Sequence, residues 1–100
     1  MKLEELIKLE EKLMNYEISN KFLINFNDYM NLIRILRNIG EVTTNYFILM
    51  KEYDNKLKND EISNEERKKK LIDFNNNLLS TEIELDYNSI NNFITKYDIL

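Results

Sequence analysis

The chain has 100 residues, 43% hydrophobic and 32% charged, with a formal net charge of −4. That length and balance describe one globular domain, too apolar for a disordered chain and too charged for a membrane protein. Cys, His and Pro are absent and Gly40 is the single glycine, which excludes disulfides, thiolate nucleophiles, histidine bases and ligands, and glycine-rich phosphate loops.

Glu4 and Glu5 follow Met1 almost at once and no apolar core succeeds them, so no secretory peptide is expected. The longest apolar run, Tyr46 to Met50, is far short of the roughly 20 residues that a membrane-spanning helix needs. Leu3, Leu6, Ile7, Leu13 and Met14 lie near one face, interrupted by Glu10, and predict a first helix over residues 3–14. Glu4 precedes Lys8 by one helical turn on the exposed side. From Asn15 to Asn20 the residues favour caps and turns, which predicts a break with Ser19 or Asn20 capping the next helix.

A long helix over residues 22–57 is the main expectation. Phe22, Tyr29, Leu36, Thr43, Met50 and Leu57 recur every seven residues, and Leu32, Ile39, Tyr46 and Tyr53 interleave with them, Asn25 being the polar exception. Phe26, Ile33 and Phe47 widen this stripe. Such a pattern implies one helix with one buried seam. Gly40 lies inside it, as a close contact, a kink, or a break capped by Thr43 or Thr44; the phase survives the glycine and predicts continuity, at a cost of about 1 kcal/mol relative to Ala. The tyrosines on the seam read as core. Phe47, Ile48, Leu49, Ile35 and Ile24 exceed what one seam needs, which points to a second buried face against a third helix or another copy.

Polar residues from Asn55 to Asn64 end the long helix. Ser63 followed by Glu66 is a capping-box pattern that opens a helix through Leu71, Phe74 and Leu78 to about Ser80, so the two helices form an antiparallel hairpin. Residues 81–87 alternate polar and apolar, the period of a strand, with Tyr16-Glu17-Ile18 as its candidate partner. Asn88 or Ser89 then caps a short helix through Ile90, Phe93 and Ile94. The expected fold class is therefore mostly α: a small helical bundle, one domain over residues 1–100, built on a long antiparallel α-hairpin, with one short strand pair near the C-terminus as an option.

The candidate sites are few. Glu82, Glu84 and Asp86 would share one face of the strand, where three carboxylates suit a hard cation; without a fixed-spacing calcium loop the preferred reading is a solvated edge, and no metal or cofactor is expected. Arg67-Lys68-Lys69-Lys70 is the only basic run. It spreads around a helical turn, so it reads either as a partner contact or as a solvated shoulder balanced by Glu65 and Glu66. Arg34 and Arg37 share a face of the long helix, with Asp28 and Glu41 within reach, and fit an interface or local ion pairs. With Phe47 and Ile48, these six basic residues form the candidate partner-binding set.

Ala and Gln are missing while Ile, Asn and Lys, whose codons are AT-rich, are abundant, which suggests an AT-rich genome such as a low-GC bacterium, its phage or another mobile element. The order of Leu3 to Leu13, Arg34 with Arg37, Leu71 to Leu79, Glu82-Ile83-Glu84-Leu85, and Ile94 to Leu100 resembles small proteins of unknown function encoded by tailed phages of low-GC bacteria. The resemblance spans most of the chain, rests on common residues and carries no activity with it.

These observations lead to a non-enzymatic, protein-binding accessory protein of phage or mobile-element type in the bacterial cytoplasm. Its expected partner is a host protein or a defence nuclease complex that it inhibits, in the manner of an anti-CRISPR. The alternative is an assembly protein that self-associates through the helical seam. The acidic balance argues against nucleic acid as sole partner.

Overall fold

A computed structural model describes residues 1–99; Leu100, the last residue of the phage-protein resemblance, lies outside them. Four helices follow in order: α1 (Leu3–Asn20), α2 (Phe26–Asn59), α3 (Asn64–Leu79) and α4 (Tyr87–Tyr97). The architecture is a small helical bundle. Residues 81–87 form no strand: one antiparallel bridge links Lys2 and Glu82, flanked by Leu3 N–H to Thr81 O and Ile83 N–H to Met1 O, both 2.9 Å. The anticipated partner, Tyr16 to Ile18, is helical. Alternation in this segment serves packing instead, because Ile83, Leu85 and Tyr87 rest on the core while Glu82, Glu84 and Asp86 face out.

The first helix continues six residues past its expected end, through the expected break to Asn20. Tertiary contacts override the weak propensity of Asn15 to Asn20: Tyr16 packs edge-on to Phe93 with ring centroids 6.2 Å apart, and Glu17 accepts from the Tyr29 hydroxyl at 3.2 Å. The cap of α2 is Asn25 rather than Ser19 or Asn20; its Oδ1 accepts from the Asp28 N–H at 2.9 Å. The second helix runs unbroken through Gly40, where the buried Thr43 hydroxyl donates to Glu10 at 3.0 Å and to the Gly40 carbonyl at 3.2 Å. Ser63 caps α3 as its sequence pattern indicates, accepting from Glu66 N–H at 3.1 Å. Asp86, not Asn88 or Ser89, caps α4, accepting from Ser89 N–H and Oγ.

Contacts give the topology. Glu10 meets Thr43 while Glu17 meets Tyr29, so α1 runs antiparallel to the first half of α2. Tyr46 bonds Asn75, and Asp54 faces Arg67, so α3 runs antiparallel to the second half. Helices α1 and α3 therefore lie nearly end to end along α2, and α4 packs only beside α1 and the first half. Leu6, Leu9, Leu13, Leu32, Ile35, Ile39, Ile90, Phe93 and Ile94 form the core of that body. The other half is a two-helix arm in which α3 buries no residue fully. Ile24 and Ile35, surplus to the seam in the sequence pattern, are core residues here.

Candidate docking surface

The turn between α1 and α2 is a polar frame around an apolar run. Leu23 N–H returns to Asn20 O at 2.9 Å and Asn25 caps the next helix, so residues 21–25 must reverse the chain within five positions. Only Ile24 points inward. Phe22 is left 94% exposed, Leu23 82% and Phe26 74%. Ile18 and Met14, one and two turns back on α1, and Met30, one turn on along α2, are exposed as well. The two phenylalanines alone present roughly 300 Å² of apolar surface, already the size of the largest patch on many monomers. Phe22 was expected to open the buried seam; the turn removes it from the helix altogether.

Beside this tip, α1 and α2 leave an open groove of about 460 Å³ floored by Met14, Ile18, Ile33 and Leu36, with Glu10, Glu17 and Arg37 on its lips. On the other flank of α2 a cleft of about 260 Å³ lies against α4, with Ile35, Ile90 and Phe93 below and Arg34, Asn38 and Lys96 at the rim. Arg34 and Arg37 thus serve different clefts. Arg34 donates to Asn31 Oδ1 at 3.2 Å, and neither arginine forms an ion pair among the described residues.

Asp28, which the sequence offers as an arginine partner, is taken by α4. It accepts from Lys96 Nζ at 2.7 Å, from Asn25 Nδ2 at 3.0 Å and from the Tyr97 hydroxyl. Lys96 chiefly, then Tyr97, hold its carboxyl below the ordinary value of 3.8. The same bond to Asp28 pushes the Tyr97 phenol up to about 12. One carboxylate therefore clamps the start of α2 to the end of α4, directly behind the tip. Charge-assisted bonds of this kind are the strong ones.

The rest of the sequence-selected set is dispersed. Arg67 Nε faces Asp54 Oδ1 across the arm at 3.7 Å, both atoms shielded and without a hydrogen bond. Lys70 pairs with Glu66, and Lys68 and Lys69 are exposed. Phe47 is 60% exposed and Ile48 is exposed too, but adjacent residues on a helix point about 100° apart. Arg67 faces Asp54 while the apolar tip opens α2 at Phe26, so about 40 Å of helix separates the basic run from the tip. The carboxylates Glu82, Glu84 and Asp86 do not converge; no metal-holding cluster of His, Cys, Asp or Glu occurs among the described residues. Among those residues, too, no helix is long and apolar enough to cross a membrane. The tip had a sequence signal: Asn25 followed by Asp28 is a helix start, which places Phe22 and Leu23 before the helix.

No protein-family model, curated protein or solved structure matches this chain.

Proposed function

We propose that this chain is a non-catalytic protein-binding module that docks through the apolar tip of its α1–α2 turn. The observation that carries the reading is the exposure of Phe22, Leu23 and Phe26 on a turn that is held in shape from behind. Aromatic and aliphatic anchors on a preorganised support lose little entropy on binding and supply most of an interface's energy. The absence of Cys and His from the sequence supports a role in binding over one in nucleophilic or acid–base chemistry.

The Ile-, Asn- and Lys-rich composition and the phage-protein resemblance extend the proposal to a mobile-element accessory protein in a bacterial cell, inhibiting a host or defence nuclease complex by occupying one of its apolar grooves. Affinity capture from a low-GC bacterial lysate, with wild type and a Phe22→Asp/Leu23→Asp chain in parallel, tests it. A stoichiometric partner held by wild type at moderate salt and lost by the variant is expected. Equal capture by both chains would remove the tip from the account.

A further inference from the structure

Helix α2 carries a second stripe, distinct from its buried seam. Met30, Ile33, Arg37, Gly40, Thr44 and Phe47 follow at intervals of 3, 4, 3, 4 and 3 residues, so they share one side of the helix. Ile33 lies two residues, about 200°, from Ile35, which faces α4; the stripe is thus on the flank that α4 leaves uncovered, alongside the apolar groove between α1 and α2.

The intervals read the same in both directions. Laid antiparallel on an identical helix, the stripe sets Met30 against Phe47, Ile33 against Thr44, and the long Arg37 against Gly40, over which the Glu10 carboxylate lies. Large residues oppose smaller ones at each inner step, as an isologous contact between copies requires, and each pair occurs twice about the two-fold axis. Phe47, exposed on the arm, then enters the partner copy's groove over Met14 and Ile18.

The chain as a whole has surface to spare for such a contact. The chain exposes 7215 Å², where a compact monomer of 12.2 kDa exposes about 6,100 Å². The excess, roughly 1,100 Å², is larger than the ~800 Å² that each partner gives to a standard interface. The radius of gyration, 17.1 Å, likewise exceeds the ~13 Å of a compact domain of this length.

We infer that the uncovered α1–α2 flank is covered by a second copy of this chain, in an antiparallel dimer that seats the arm of one copy against the body of the other. Phe22 and Leu23 lie beyond the stripe, while Met14, Ile18 and Met30 beside the tip are shared with this contact.

Molecular mass in solution tests it. Wild type is expected at twice 12.2 kDa over the micromolar range, and Ile33→Glu and Phe47→Asp, each with an unchanged helical spectrum, at half that mass. Because the chain has no cysteine, Met30→Cys mixed with Phe47→Cys is expected to give the mixed disulfide in excess over either like pair. Phe22→Asp is expected to stay dimeric, so loss of partner capture and loss of the dimer are read separately. A 12.2 kDa wild type would overturn the second copy and leave the groove to a foreign helix. A dimer that survives both Ile33→Glu and Phe47→Asp, or dissociates with Phe22→Asp, would overturn this face.

Discussion

The two halves of α2 have the same seam spacing and live in different surroundings. In the body, Leu32, Ile35 and Ile39 are enclosed by α1 and α4 together. In the arm, Tyr46, Met50 and Tyr53 meet only α3 and stay partly exposed, with Leu57 the one fully buried aliphatic residue. Tyr53 and Phe74 stack with centroids 4.3 Å apart, and the remaining cross-helix links are the Tyr46–Asn75 bond and the loose Asp54–Arg67 pair. A heptad seam specifies that a helix will have a partner; how many partners is decided elsewhere in the chain, here by a fourth helix that reaches only one half.

That contrast predicts unequal costs. Leu32→Ala in the body should lower stability by about 3 kcal/mol, since a fully enclosed leucine leaves a cavity. Leu71→Ala in the arm should cost about half as much, roughly 1.5 kcal/mol, because open surroundings and water fill the space. Guanidinium midpoints compare them, and equal losses would mean that the arm is as well packed as the body.

A pH titration sharpens the body side. The Asp28 carboxyl sits below its unfolded value of 3.8, so the unfolded chain takes up its proton first as acid is added. Its contribution is complete above about pH 4 and is lost as pH falls through the folded value. Tyr97, raised from 10.0 to about 12, contributes fully below pH 10 and loses that contribution as pH rises towards 12. Near-ultraviolet dichroism should report α4 loosening at both extremes, and Asp28→Asn should return the Tyr97 phenol towards 10.

Gly40→Ala should stabilise the chain by about 1 kcal/mol. The added Cβ meets Glu10 Oε2 at 3.5 Å, an ordinary contact with a flexible side chain, and the glycine has no left-handed backbone to protect. A drop in melting temperature would show that the two halves of α2 need a hinge. The smallest effect belongs to the arm's surface: Lys68→Ala/Lys69→Ala should stay within about 0.5 kcal/mol of wild type.

Much of the fold is legible in the residues. The seam from Tyr29 to Leu57, the continuity through Gly40, the Ser63 cap and the hairpin all follow from local chemistry. What the pattern misplaces has a tertiary cause. Asn15 to Asn20 stay helical because α4 supplies Tyr16 with aromatic neighbours. Residues 81–87 pair only through one bridge because Leu3, the residue next to it, already begins a helix. The docking surface was hidden for a simpler reason: Phe22 keeps the heptad phase of a helix it does not join, and Asn25, read as a polar exception on the seam, is the cap that ends that phase.

Oxidative footprinting of the chain alone and in its captured complex reads the docking role of the tip residue by residue. Strong protection of Phe22 and Leu23 is expected in the complex, with Phe74 and Ile72 of the arm unchanged from the free chain. Protection confined to the arm, with the tip labelled as heavily as before, would contradict it.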